Sequence, residues 1–316
     1  MKALITTVGT ILIVSFISCT KNHFSITDNY SSVNDFFEKN SVPVSTYNID
    51  ARSGGSFTTA QGTTVTIPAN AFITGSNTTV TGNVTIQFKD IYQKSDMLLS
   101  NMPTETSYGY PLKSGGEFYI NATSNNSAVD LDSGKEITVT QPANLTGGLD
   151  TVNKQTPFVL VNDSLGKGWA PAPADSIFIS SSFASTSAYV FGLYQFSTPV
   201  NSGTWCNSDN MSYFSAYTMT NLILHPNDSV NEYSTTVFLL FSKLNSMVHV
   251  YYDQYSGFPY YYAPQGLPCT IVALGVKNGT LYSSFVPITI TANETVSFTL
   301  SKTNTNEFDN KLKALD

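Results

Sequence analysis

"CTIVALGVKNGTLYSSFV", residues 269–286, sets two apolar, β-branched runs on either side of Asn278-Gly279. Asn-Gly supplies the two positive-φ positions that a type I′ turn requires, so the stretch reads as an antiparallel hairpin. Working outward, Thr235 to Phe241 and Met247 to Tyr252 read as a second strand pair. Val80, Val84, Ile86 and Phe88 share one parity, as do Phe118 with Ile120 and Ile137 with Val139. Alternation at period two marks half-buried strands with one face on a core. No long helical period falls between the runs, which argues against parallel βαβ units. The expected fold class is all-β: consecutive antiparallel β-sandwich domains with a short C-terminal helix. That helix is predicted over Asn304 to Leu315, with Asn304 and Glu307 as an N-terminal capping pair and Phe308, Leu312 and Leu315 on one face.

Composition supports this reading and narrows the function. Only 12% of residues are charged while 13% are aromatic, with 18 Tyr and 20 Phe. Aromatic and β-branched residues suit strands and provide ample core. A net charge of −7 without basic clusters argues against nucleic acid and anionic lipid as partners.

The chain opens with Met1-Lys2 and an uncharged run from Ala3 to Ser18, too short to span a bilayer as a helix. This is the shape of a secretory signal peptide. Ser18-Cys19 followed by Thr20-Lys21-Asn22 resembles the lipobox of bacterial lipoproteins, in the loose form common in the Bacteroidetes, with Phe16 in place of the usual leucine. The resemblance implies that Cys19 becomes the lipidated N-terminal residue and anchors the protein in the cell envelope, at the outer membrane. Cys206 and Cys269 then remain; in an exported chain they either pair or stay buried as small hydrophobes.

The expected organisation is a signal peptide at 1–19, a tether at 20–41, a first sandwich at 42–143, a connecting region at 144–200 and a second sandwich at 201–316. Within the tether, Ser32 reads as an N-cap ahead of a short helix with Val33, Phe36 and Phe37 on one face.

Residues 54–72, GGSFTTAQGTTVTIPANAF, resemble the opening of the ZU-type β-sandwich of netrin receptors and ankyrins. The matching positions are Gly54-Gly55, Gly62, Val65, Ile67-Pro68 and Ala71, with Leu112 to Phe118 similar to a later landmark in exported Bacteroidetes proteins. Trp205-Cys206-Asn207-Ser208-Asp209 is similar to another landmark of that group. Residues 258–275 resemble an edge of transthyretin-like or carboxypeptidase-regulatory domains. These resemblances imply non-catalytic modules for display and contact. Some ZU-type proteins cleave themselves at Phe-Ser; Phe24-Ser25 lies in the tether and Phe196-Ser197 lacks the preceding histidine, so self-cleavage is not expected. Asp-Ser/Thr-hydrophobic triplets at Thr151, Ser164, Ser176 and Ser229 resemble O-glycosylation sites of such proteins.

Catalytic apparatus is not expected. His23, His225 and His249 have no partner histidine at metal-ligand spacing, and no Gly-x-Ser-x-Gly turn or phosphate loop is present. His249 reads as a core histidine. Asp130 and Asp132 read as a solvated turn rather than a Ca²⁺ site. No cofactor or metal is expected. One feature invites a binding role: in Tyr251 to Tyr262 seven of twelve residues are aromatic, more than alternation would bury on one face. Tyr252, Tyr255, Tyr260 and Tyr262 are the candidate contacts, for a protein or glycan partner.

Overall fold

The computed structural model describes residues 28–145, 156–163, 166–173, 177–179, 188–193, 204–227 and 234–316. Among the described residues it is all-β, with mainly antiparallel sheets and three short α-helices. The 269–286 hairpin forms as read. Asn278 and Gly279 take φ of 51° and 76°, and Lys277 faces Thr280 in a register that runs to Pro268 opposite Thr289.

Two sheets enclose the first core. One runs in the order Ser45–Asp50, Asn83–Ile91, Lys113–Ser124, Thr204–Asn210, Thr156–Asp163, Gly166–Pro171. The other runs Ile177–Ile179, Ala188–Leu193, Ile137–Pro142, Thr64–Ile67, Gly55–Thr58. Val84, Ile86, Phe88, Phe118 and Ile120 from the first meet Val65, Ile67, Ile137 and Val139 from the second. Pro68 ends its strand because it has no N–H for the ladder, and Phe72 then turns in, fully buried. Thr204–Asn210, read from sequence as the start of the second unit, lies inside this first sheet between Lys113–Ser124 and Thr156–Asp163.

The second core lies between the sheet Phe258–Pro264, Met219–Pro226, Glu294–Phe298 and the sheet Met247–Val250, Thr235–Phe241, Pro268–Lys277, Thr280–Thr289, Ser301–Lys302. Met219–Pro226 and Glu294–Phe298 pair in parallel, which alternation alone does not foretell. The larger sheet is covered on both faces, and this explains the unbroken apolar runs at 237–241 and 271–274. Its second face carries helices α1 (Val33–Asn40), α2 (Lys94–Leu99) and α3 (Thr305–Lys313), whose Phe36, Phe37, Leu98, Phe308 and Leu312 pack on Phe238, Leu240, Val272 and Leu274.

Residues 28–41 are therefore no tether. The Ser32 hydroxyl caps α1 by accepting from the Asp35 N–H at 3.1 Å, and Phe36 meets Phe308 edge-on at 5.5 Å. A fully buried phenylalanine contributes up to about 3 kcal/mol, and Tyr30, Val33 and Phe37 are buried beside Phe36. At the other end, the Asn304 side chain accepts from the Glu307 N–H, as its sequence predicts.

Cys206 and Cys269 are both free thiols, one in each core, and the disulfide that an exported chain permits is not made. Burial pushes the Cys269 thiol up to about 12 and raises that of Cys206 too. They act as small hydrophobes.

Candidate functional site

Two turns bring the tyrosines together. The first spans Glu105 to Pro111. Gly109, at φ 80°, donates to the Thr106 carbonyl at 2.8 Å, and the Thr106 N–H donates to the Tyr110 carbonyl at 2.8 Å. Trp169 holds the turn from below: its N–H donates to the Glu105 carbonyl at 2.9 Å, and its carbonyl accepts from Ser107 at 3.1 Å. Gly168 permits this approach, since a Cβ there would lie 2.5 Å from the Ser107 Cα. Tyr108 and Tyr110 then project, 78% and 45% exposed.

The second turn, Asp253 to Gly257, closes with reciprocal backbone bonds of 2.7 and 2.9 Å. Asp253 Oδ1 accepts from the N–H groups of Tyr255 and Ser256 at 2.9 and 2.8 Å, which holds its carboxyl below the usual range. The strand that follows carries a bulge. Tyr260 pairs with Leu222 and Ala263 with Thr220, leaving Tyr261 and Tyr262 together opposite Asn221. A bulge breaks alternation and re-aims side chains. Here it brings Tyr261 and Tyr262 to the same cleft.

That cleft has a volume of about 280 Å³; Tyr108, Tyr251, Tyr252, Tyr261 and Tyr262 line it, with Glu105 and Tyr260 as its buried members. Tyr110 stacks on Tyr262 at 3.9 Å, tying the two turns ring to ring. His249 also borders it. Its Nε2 is 2.8 Å from the Thr236 hydroxyl, and burial lowers its pKa to about 4, so the ring is neutral at physiological pH.

No family model, curated protein or solved structure matches this chain.

The four tyrosines singled out by sequence divide three ways. Tyr252 and Tyr262 are half-buried in the cleft wall. Tyr260 is 5% exposed and its hydroxyl donates to the Gly109 carbonyl at 3.1 Å, so it anchors the site rather than presenting a surface. Tyr255 is 86% exposed but stands at the turn tip, outside the cleft lining. Sequence reasoning missed Tyr108 and Tyr110. The signal available was Tyr-Gly-Tyr-Pro at 108–111, a turn sequence whose aromatics have no strand to bury them.

Asp130 lies in a two-residue strand paired with Phe72–Ile73, and among the described residues no three His, Cys, Asp or Glu are grouped to hold a metal ion. No described helix is long and apolar enough to cross a membrane. Cys19, Thr151, Ser164, Ser176, Ser229, His23, Phe24-Ser25 and Phe196-Ser197 lie outside the described residues.

Proposed function

We propose that this is a lipid-anchored cell-envelope protein of adhesion or scaffolding type, which acts by contact and not by catalysis. Two features support the reading. The N-terminal Ser18-Cys19 pattern calls for an anchor, and the tyrosine cleft offers a preorganised contact surface. The single observation that carries it is the bulge at Tyr261-Tyr262 meeting the 105–111 turn, because it spends two irregular backbone features on assembling exposed rings. Tyrosine gives large, rigid contact area at low cost in side-chain entropy. A neutral glycan stacked on the same rings is a second reading, favoured by the 59% exposure of Tyr261 beside Tyr108.

Capture from intact cells tests the proposal. Wild-type protein should retain a surface partner that the Tyr108→Ala/Tyr261→Ala variant loses, with unchanged circular dichroism. Equal capture by both would remove the cleft from the account. Cys19→Ala should abolish incorporation of a labelled fatty acid; incorporation that persists would remove the anchor.

A further inference from the structure

The 105–111 turn is a wall between two clefts. On its far side lies a second cavity, about 380 Å³, which shares Thr106 and Tyr108 with the first and is lined by Tyr110, Leu112, Met211, Phe214 and Tyr217 among others. No charged residue lines it. The first cleft differs in charge. Its lining includes the carboxylate of Asp253 but neither lysine nor arginine, and His249 brings no positive charge at neutral pH. The partners of Asp253 are the backbone N–H groups of Tyr255 and Ser256 and the Ser256 hydroxyl, all uncharged, which fix the carboxylate without neutralising it. Tyrosine faces attract cations through the ring quadrupole, and an adjacent fixed carboxylate adds to that attraction.

We infer that the two clefts form one bipartite site for a segment of a protein partner that sets an arginine or lysine side chain among Tyr108, Tyr252 and Tyr261 beside Asp253, and the neighbouring apolar side chain in the second cleft against Met211 and Phe214. This rests on the contact function proposed above and names the chemistry of the partner. The two cavities share Thr106 and Tyr108, so one short segment crossing this turn faces both. The net charge of −7 favours approach of a basic segment from a distance.

The probes are three capped dipeptides, Ac-Arg-Phe-NH₂, Ac-Gln-Phe-NH₂ and Ac-Glu-Phe-NH₂, titrated into the full processed chain and followed by ligand-observed NMR. The arginine peptide should bind about tenfold more tightly than the glutamine one, the scale of one partly desolvated cation–π contact. The glutamate peptide should bind most weakly. Asp253→Asn keeps the side-chain oxygen that holds the turn and should erase most of that preference; Met211→Ala should weaken all three alike. Equal affinities would overturn the cation inference while leaving the cleft as a contact site. Retention on polysaccharide with no peptide binding would overturn the protein-partner inference and favour the glycan reading. Absence of both, with cleft variants behaving as wild type in cell capture, would overturn the contact function itself.

Discussion

The Tyr260 hydroxyl donates to the carbonyl of Gly109 at 3.1 Å, joining the strand Phe258–Pro264 to a turn about 150 residues earlier. The bond sets the spacing between the two walls of the tyrosine cleft. Tyr260→Phe keeps the buried ring and removes only the hydroxyl. We expect a loss of about 1 kcal/mol in global stability, the usual net worth of one hydrogen bond. Amide exchange of residues 106–110 should accelerate, and partner binding should weaken. Unchanged exchange in that turn would show that Trp169 alone positions it.

His249 makes stability depend on acid in a definite direction. Its folded pKa is lowered to about 4 by burial, from an ordinary value of 6.5. The unfolded chain therefore takes up a proton first as pH falls. The stabilising contribution is complete above pH 6.5 and is lost progressively toward pH 4, to a limit of about 3 kcal/mol. Urea midpoints of the wild type should fall more steeply between pH 6.5 and 4.5 than those of His249→Gln. Parallel slopes would contradict the burial argument.

Asp316 caps α2 from the far end of the chain. Its Oδ1 accepts from the Ser95 N–H at 2.9 Å and its Oδ2 from the Ser95 hydroxyl at 2.6 Å, where Gln93 supplies no side-chain cap. Asp316→Ala should cost about 1 kcal/mol, as loss of an N-cap does, and Asp316→Asn less. Equal effects of both, or none, in chemical denaturation would count against this contact.

The thiols allow a direct check of the two-core arrangement. Burial holds Cys206 and Cys269 protonated, so native protein should resist alkylation for hours and label on unfolding. Reductant should leave the melting temperature unchanged. A drop in melting temperature with reductant would mean that the two are paired.

What the sequence made legible follows from the range of the interactions involved. The Asn278-Gly279 turn, the Ser32 and Asn304 caps and the parity of Val84, Ile86 and Phe88 depend on residues within a few positions of each other, and all three kinds of signal are realised. The docking of residues 28–41 was hidden, because the local contacts of Phe36 with Tyr30 and Phe37 leave both phenylalanines uncovered until Phe308 and Phe238 meet them from far along the chain. Insertion of Thr204–Asn210 into the first sheet and the parallel pairing of Met219–Pro226 with Glu294–Phe298 are likewise long-range choices. For the cleft, the Tyr251 to Tyr262 wall was visible as a surplus of aromatics. Which of its rings face out depended on a bulge set by the neighbouring strand, and the facing wall came from a turn far away in the chain.

The most direct test of the contact function replaces single tyrosines with a photo-crosslinking phenylalanine in intact cells. Positions 108 and 261 are exposed on the cleft, whereas Tyr47 is stacked on Phe57 and Tyr282 is half-buried in the sheet of the second core. Adducts to one partner from positions 108 and 261, with none from 47 and 282, are the expected result. Adducts from 47 or 282 with none from the cleft would place the contact elsewhere and contradict the account.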